Sequence, residues 1–245
     1  MENVSPIDEA LASRGTPEWH RPVVGKYHAS VLPFCVRKSY YRFMEVKGRP
    51  DPQGARNMSF GSMIHSWLEN EIMPHVKESF TVVAKEEPIF YRLPDTEAMI
   101  VGRFDYLVRE NSGELALIDA KSSEDLYYIN RDGPSDYQAQ QLSVYQNRLN
   151  IDRGYIWGIG RAKVTDMFVP CPYKQSNFDF MCAQAHLLHS FVVAEEVPPP
   201  MSHIGWECNK CEYLDYRGLC PGMPSTEAVV GTEVHAGIEL DLGDE

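Results

Sequence analysis

The chain has 245 residues, of which 43% are hydrophobic and 24% are charged. These values are ordinary for a globular protein and exclude disordered and collagen-like chains. No apolar run approaches the roughly 18 residues that a membrane-spanning helix requires, and the N-terminus lacks the basic and apolar regions of a secretory signal. The sequence therefore predicts a soluble, cytoplasmic protein.

The charge is unevenly distributed along the chain. The net charge of −12 argues against nonspecific coating of nucleic acid, but residues 222–245 alone carry six acids and no lysine or arginine. Residues 37–56 instead hold six basic side chains against two acids, with aromatic residues between them. We interpret this segment as a contact for a polyanion, with Arg37, Lys38 and Arg42 as candidate nucleic-acid-binding residues.

The apolar pattern in the first third of the chain predicts an irregular arm followed by helices. Residues 1–29 are irregular in pattern, so we expect an N-terminal arm without regular structure. Apolar residues that follow Ser30 predict one or two short helices. Ser59 is suited to cap a helix, and the apolar spacing from Phe60 to Ile72 predicts a helix that ends at Pro74.

The remainder of the chain alternates between strand and helix patterns. Strands are predicted at residues 80–84, 99–108 and 115–120, the last two joined in a hairpin by the polar turn 111–113. A helix is predicted at 136–149, strands at 154–159 and 164–169, and a helix at 177–194. The prolines at 198–200 predict a stiff linker. This order predicts an α/β core.

Two acids and a lysine fall on the predicted hairpin. Asp105 and Asp119 lie within or beside apolar runs, where a carboxylate is costly to bury without a positive partner. A divalent cation with oxygen ligands is the simplest such partner. Lys121 follows Asp119 by two residues, so both side chains point to one face of a strand. An ammonium group there can orient an attacking water and stabilise developing negative charge.

Two predicted helices carry further candidates. His65 would supply an imidazole ligand if its helix packs over the sheet. Gln141 and Tyr145 are four residues apart, so they share a helix face and are placed to hold the lysine or a phosphate group. Each short motif alone is more often accidental than functional. Their joint occurrence, in this order and on suitable elements, predicts a metal-dependent site.

Three of the six cysteines, Cys208, Cys211 and Cys220, lie in one short segment. This spacing is typical of a metal or cluster site, for which the fourth ligand must come from elsewhere. His203 would complete a Cys3His zinc site, and spacing alone does not exclude zinc. Cys171 and Cys182 are interpreted as ordinary core or surface residues.

The series Gly61-x-x-x-His65, Gly102-x-x-Asp105, Asp119-x-Lys121 and Gln141-x-x-x-Tyr145 resembles the RecB-type branch of the PD-(D/E)XK nucleases. With Cys35 upstream of the cysteine triplet, the chain is similar to the iron–sulfur subset of that branch. This subset includes the AddB nuclease domain and the fourth CRISPR-associated protein family. The resemblance covers residues 30–222, including a cluster segment at 203–222, and leaves an acidic tail at 223–245 outside.

The resemblance implies a restriction-endonuclease-like core, in which a central mixed sheet is flanked by helices, with a lid stapled by an iron–sulfur cluster. It implies that Lys121 is catalytic and that Gln141 and Tyr145 support the site. The implied ligands of Mg²⁺ or Mn²⁺ are His65, Asp105, Asp119 and the backbone carbonyl of Ala120. The implied ligands of a [4Fe–4S] cluster are Cys35, Cys208, Cys211 and Cys220. Glu87 resembles an acid that some relatives carry ahead of the second strand.

The implied activity is metal-dependent exonucleolytic hydrolysis of DNA, at single-stranded ends, as in CRISPR spacer acquisition together with an integrase. A phage- or recombination-associated nuclease that processes DNA ends is an alternative with the same chemistry. A catalytically silent DNA-binding or assembly module and a zinc-ribbon interaction protein are alternatives from other classes. The presence of Asp105, Asp119 and Lys121 argues against the silent module.

Overall fold

The computed structural model describes residues 22–49, 51–76, 79–162, 165–201 and 206–222. Most of the expected N-terminal arm, the acidic tail and His203 lie outside these ranges. Within them the chain has a mixed α/β fold with two sheets and flanking helices, which confirms the predicted class. No helix in these ranges is long and apolar enough to cross a membrane.

The described ranges contain five α-helices and eight strands. The helices are α1 (Val36–Phe43), α2 (Pro52–Trp67), α3 (Tyr127–Asp132), α4 (Asp136–Leu149) and α5 (Gln175–Ala194). The strands are β1 (Lys26–His28), β2 (Phe80–Lys85), β3 (Pro88–Arg92), β4 (Met99–Arg103), β5 (Tyr106–Glu110), β6 (Leu115–Ser123), β7 (Gly154–Gly160) and β8 (Thr165–Pro170).

Strand β6 is the centre of the larger sheet, whose strand order is β2-β5-β6-β7-β8. It pairs antiparallel with β5 and parallel with β7, and the remaining pairs of this sheet are antiparallel. Residues 116–120 of β6 are all buried, so both faces of the strand are covered, as its continuous apolar run requires. The parallel pairing needs a crossover connection, which α3 and α4 provide.

Helices cover opposite faces of β6. On one face, Ile64 and Leu68 from α2 and the turn that follows it belong to a core cluster with Ile118 and Ala120. On the other face, Leu117 belongs to a cluster with residues of α4 and α5. Because side chains alternate along a strand, Asp119 and Lys121 point to the α4 face.

The smaller sheet has the order β1-β4-β3, with β1 parallel and β3 antiparallel to β4. Its buried residues Tyr27, Ile89 and Ile100 join the core cluster of Leu117, Leu142 and Met181. The smaller sheet, α4 and α5 therefore share one core with the α4 face of the larger sheet.

The predicted N-cap at Ser59 is wrong. Helix α2 begins at Pro52, and the Asp51 carboxylate caps it by accepting a hydrogen bond from the Gly54 N–H at 2.8 Å. Proline is well suited to the first helical turn because its missing N–H would have no helical partner there. The helix also does not end cleanly at Pro74: a π-helical turn covers Leu68–Ile72 and a 3₁₀ turn covers Met73–His75.

The apolar face predicted for this helix is only partly buried. Ile64 and Leu68 are buried, whereas Phe60, Met63 and Trp67 are exposed. The i, i+3, i+4 pattern therefore indicates a helix in this segment but neither its bounds nor all of its buried contacts.

The single strand predicted at residues 99–108 is wrong. The chain leaves the smaller sheet after Arg103 and enters the larger sheet at Tyr106. Asp105 lies at this change of sheet, where its carbonyl accepts a hydrogen bond from the Glu86 N–H at 2.9 Å. Strands β1 and β3 and helix α3 were not predicted. The hairpin of β5 and β6, helix α4 and strand β7 are confirmed.

Candidate metal-dependent active site

The first pair of the candidate site lies on β6. Lys121 Nζ is 2.8 Å from Asp119 Oδ2, and the Asp119 side chain is only 3% exposed. Burial lowers the pKa of Lys121, but the carboxylates of Asp119 and Asp105 outweigh this effect and raise it above its ordinary value. Lys121 is therefore an ammonium ion at neutral pH, suited to stabilise negative charge and not to accept a proton.

Asp105 faces this pair from the start of β5. Its Oδ2 accepts a hydrogen bond of 2.7 Å from the Ala120 backbone N–H, which fixes the carboxylate beside the middle of β6. Burial and the neighbouring Asp119 carboxylate raise the pKa of Asp105 well above its usual range, against the opposing effects of Lys121 and the Ala120 N–H. One lysine thus does not fully compensate two buried acids.

His65 approaches the two acids from α2. Its Nδ1 is 3.7 Å from Asp105 Oδ1, and the Ala120 backbone lies close enough to the ring to affect its pKa. Burial and the Lys121 charge lower the pKa of His65, although Asp119 and Glu86 oppose this. The imidazole is therefore neutral at physiological pH, which is the form that binds metals.

Glu86 completes a group that sequence analysis missed. One ligand atom each from His65, Glu86 and Asp105 lies within 4.8 Å of the other two. The resemblance pointed instead to Glu87, but the backbone at Glu86 is left-handed, with φ of 52°, and turns Glu86 toward the site. Two adjacent glutamates before a proline give no sequence signal for which one faces a site. Glu86 also pairs with Arg103 at 2.7 Å.

Helix α4 supports Lys121 through a short chain of hydrogen bonds. Lys121 Nζ donates to Gln141 Oε1 at 3.2 Å, and Gln141 Nε2 donates to the Tyr145 hydroxyl at 3.0 Å. Burial, with a further contribution from Asp119, raises the pKa of Tyr145, so its hydroxyl stays neutral. The i, i+4 pair expected on one helix face is thus linked to the lysine, Gln141 directly and Tyr145 through Gln141.

The residues present fit a hard divalent cation. Carboxylate oxygens and a neutral imidazole are ligands that suit Mg²⁺ or Mn²⁺. Asp119 Oδ2 is buried and has no hydrogen bond of good geometry, although Lys121 lies beside it. Lys121 already places a positive charge 2.8 Å from this oxygen, so the fit to a cation rests on the group of His65, Glu86 and Asp105.

The four cysteines singled out by the sequence line one small cavity, although up to 185 residues separate them along the chain. Cys35 precedes α1, and Cys208, Cys211 and Cys220 lie on the loop after the proline linker. All four are free thiols. Cys171 and Cys182 do not line this cavity. These cysteines therefore bring the two ends of the described chain together.

A buried carboxylate, that of Glu207, also lines this cavity. Both oxygens of Glu207, which is 1% exposed, accept hydrogen bonds of 3.1 Å from the Cys35 backbone N–H. Lys38 Nζ lies 3.5 Å from Glu207 and 3.9 Å from Glu212, and Arg42 pairs with Glu212 at 2.7 Å. Arg37 donates to the backbone carbonyls of Pro198 and Leu219.

The nucleic-acid role of Arg37, Lys38 and Arg42 stays a prediction, and these contacts give each of the three side chains a partner within the chain. Lys38 and Arg42 pair with acids of the segment that carries the three C-terminal cysteines, and Arg37 binds backbone carbonyls in and before that segment. Lys38 is itself buried. A basic stretch of sequence favours binding to a polyanion less when its side chains already pair with acids of the same chain. Here the acidic partners, Glu207 and Glu212, lie about 170 residues away along the chain.

No family model and no curated protein sequence matches the chain. Among solved structures, it is similar to the protein SSO0001, with a TM-score of 0.53 and 16% identity over 84% of this chain and 89% of the other. The shared feature is the fold. Lower scores are found for the alkaline exonuclease LHK-Exo from Laribacter hongkongensis (TM-score 0.48, 12% identity, 70% and 90% covered). A phage-related exonuclease from Haemophilus somnus 129PT has a TM-score of 0.37 and 12% identity over 65% of this chain and 81% of the other.

Proposed function

We propose that the protein is a nuclease that hydrolyses the phosphodiester bonds of DNA with a divalent metal ion, acting on single-stranded ends. The observation that carries the proposal is the convergence of His65, Glu86 and Asp105 within 4.8 Å beside the Asp119–Lys121 ion pair. A metal ion can activate the attacking water and polarise the phosphate, and a cationic side chain can stabilise the charge that develops on it.

We assign the metal to a set of ligands that surround the end of β5 and the middle of β6. They are His65, Glu86, Asp105, Asp119 and the carbonyl of Ala120. A bound Mg²⁺ or Mn²⁺ would lower the pKa of a water molecule and polarise the phosphate. The carboxylates hold this position through the fold, since Asp105 is fixed by the Ala120 N–H and Asp119 lies within a fully buried strand segment.

Lys121 has a separate role in this proposal. Its ammonium group would orient the attacking water and stabilise the charge that develops on the phosphate oxygens as the bond to the leaving oxygen breaks. Gln141 accepts a hydrogen bond from Lys121, and Tyr145 accepts one from Gln141. These two residues therefore position the lysine without contacting the reacting atoms.

We also propose that Cys35, Cys208, Cys211 and Cys220 hold a [4Fe–4S] cluster with a structural role. The four thiols line one cavity, which supports a shared centre. A single zinc ion would bring tetrahedral thiolates to roughly 3.8 Å of one another, given Zn–S bonds of about 2.3 Å. The choice of a cluster over a single zinc ion rests on the resemblance, which adds Cys35 to the three cysteines of the C-terminal segment.

The biological setting follows from the iron–sulfur resemblance. It favours trimming of single-stranded DNA during CRISPR spacer acquisition, with an integrase as partner. End processing in phage replication or recombination would use the same chemistry. The neighbouring genes distinguish the two settings, because an integrase gene beside this one would support the first.

A cleavage assay tests the activity. End-labelled single-stranded, double-stranded and circular DNA are incubated with the anaerobically purified protein and Mn²⁺ or Mg²⁺. We expect shortening of linear single strands, loss of activity with a chelator, and no activity in Asp119→Ala. Metal-dependent DNA binding without cleavage in the wild type would instead support a silent binding module.

A further inference from the structure

Trp206 is an exposed aromatic residue in the segment that carries the three C-terminal cysteines. It is 46% exposed, whereas the next residue, Glu207, is buried. The Glu207 carboxylate accepts hydrogen bonds from the Cys35 backbone N–H and so anchors the backbone directly beside Trp206. The indole ring is therefore held at the surface on a fixed piece of chain.

Two side chains contact the Trp206 ring. Tyr137 of α4 meets it at a near-perpendicular angle, with ring centroids 6.4 Å apart, and Lys210 Nζ lies 5.9 Å from its centroid. Lys210 is exposed, and no carboxylate of the described ranges pairs with it. A single exposed aromatic residue is ordinary, but this surface combines an accessible indole with a positive charge that the chain leaves uncompensated.

Tyr137 connects this surface to the candidate site. Tyr137 and Gln141 are four residues apart, so they lie on one face of α4 and about 6 Å apart along its axis. Gln141 accepts the hydrogen bond from Lys121. One turn of helix therefore separates the residue that holds Lys121 from the residue that contacts Trp206, and the indole lies on the same side of the protein as Lys121 is reached from α4.

We propose that Trp206 stacks on a base of the single-stranded DNA substrate and that Lys210 pairs with a neighbouring phosphate. The inference rests on the proposed nuclease function and names residues that bind its substrate away from the reacting bond. An indole can stack on any base because every base has a π face. The Lys210 side chain is long and flexible, so its ammonium group can leave the ring for a phosphate when a base takes its place.

This contact favours single strands over duplex DNA. Bases inside a duplex are already stacked on their neighbours and paired, so they are not free to stack on a protein side chain. A single strand offers its bases without that cost, which makes aromatic stacking a common way to bind it. Trp206 would thus contribute to the preference for single-stranded ends in the proposed activity.

The test compares Trp206→Ala, Trp206→Phe and Lys210→Gln with the wild type in the full-length, anaerobically purified protein. Binding of a fluorescent single-stranded oligonucleotide and of the matching duplex is followed by anisotropy with Ca²⁺ in place of Mn²⁺, and thermal unfolding is measured in parallel. Phe90→Ala and Lys26→Gln are the matched controls, because both residues are exposed and lie on strands of the smaller sheet.

We expect Trp206→Ala to weaken single-strand binding roughly 5- to 150-fold, as for the loss of one aromatic–base stack, and to bind the duplex as the wild type does. Trp206→Phe keeps a ring and should lose less affinity. Lys210→Gln should weaken single-strand binding severalfold and lower the salt slope by about 0.7. Both controls should bind the single strand with wild-type affinity.

Tryptophan fluorescence gives a second readout that does not depend on the alanine variant folding. The oligonucleotide should quench the emission of the wild type, and this quenching should be much smaller in Trp206→Phe. Equal quenching in the two proteins would overturn the inference, and so would wild-type single-strand affinity in a folded Trp206→Ala.

Two further outcomes separate this inference from its alternatives. Self-association of the wild type that Trp206→Ala abolishes, at unchanged DNA affinity, would overturn the inference and assign the ring to a second copy of the chain. Failure of the nuclease proposal has a different signature, since a wild type that binds the oligonucleotide through Trp206 but does not cleave it with Mn²⁺ leaves the stacking contact supported.

Discussion

A side chain on residue 102 would collide with Tyr145. A Cβ atom at Gly102 would lie 2.7 Å from Tyr145 Cε1 and 3.0 Å from its hydroxyl oxygen. Gly102 is on β4 of the smaller sheet, whereas Tyr145 is on α4 and reaches Lys121 through Gln141. The smaller sheet thus determines where the hydrogen-bonded support of Lys121 lies.

The first prediction follows from this contact. Gly102→Ala should displace the Tyr145 ring, reduce the free energy of unfolding by about 1–3 kcal/mol as overpacking does, and lower DNA cleavage because Gln141 loses its partner. Urea unfolding and single-turnover cleavage measure the two effects. The same change in a Tyr145→Ala background should cost little stability. Equal losses in both backgrounds would show that the contact with Tyr145 is not the cause.

The second prediction concerns Lys121. Lys121→Ala should retain Mn²⁺ binding, because the acids supply the anionic charge, and should lower turnover on the order of a hundredfold or more, because the ammonium group acts on charge that develops in the transition state. Titration calorimetry with Mn²⁺ and single-turnover cleavage separate these quantities. Lys85→Ala is the control, since Lys85 is exposed and paired with Glu69 on the surface. Cleavage by Lys121→Ala at the wild-type rate would disprove the assignment.

The third prediction concerns Asp119, whose role differs from that of Lys121. Asp119→Ala should lose Mn²⁺ binding and cleavage together, because it removes a proposed ligand and leaves the half-buried Lys121 without its ion-pair partner. The same calorimetric titration detects the loss of binding. Tight Mn²⁺ binding by this variant would restrict the metal site to His65, Glu86 and Asp105.

The fourth prediction concerns the contact between Glu207 and Cys35. Glu207→Ala should lower the free energy of unfolding by roughly 3–5 kcal/mol, as expected when one partner of a buried ion pair is removed, because Lys38 and the Cys35 N–H lose their acceptor. Adding Lys38→Met should recover part of this loss. Chemical denaturation measures both, and Glu97→Gln, in an exposed pair with Arg92, should change stability by less than about 1 kcal/mol. No recovery in the double variant would contradict the pairing.

The fifth prediction tests the proposed cluster. Anaerobically purified wild type should be brown, and Cys35→Ala or Cys208→Ala should lose iron and thermal stability, because ligands from both ends of the described chain are needed to close the centre. Iron analysis and thermal unfolding provide the measurements. Cys182→Ala, on α5 and away from the cavity, should keep wild-type iron. A colourless, zinc-loaded wild type would refute the cluster.

The parts of the fold that the sequence predicted are those governed by local pattern. Helix α4 has a capping box at Ser135 and Gln138, and β6 has an unbroken apolar run, so each element carries its own signal. The break at Asp105 carries no such signal, because residues 99–108 alternate as one strand would. Only the pairing of β4 with β3 and of β5 with β6 reveals that the chain changes sheets there.

The same distinction applies to the site. Lys121 and Asp119 are two residues apart on one strand, so their contact was predictable from strand geometry. The turn that directs Glu86 toward the site depends on a left-handed backbone conformation. The acidic partners of Lys38, Glu207 and Glu212, lie about 170 residues further along the chain. Long-range partners of this kind have no local pattern, so the sequence alone shows the charge of the basic segment but not the acids that pair with it.

The 172-residue separation between Cys35 and Glu207 also has a consequence for synthesis of the protein. A ribosome adds roughly 5–20 residues per second, so Cys35 emerges about 10–30 s before the segment that covers it. During that interval its thiol and the N-terminus of α1 have neither the Glu207 carboxylate nor the other three cysteines as partners. The Cys35 thiol is therefore accessible on the nascent chain until the last described segment has emerged.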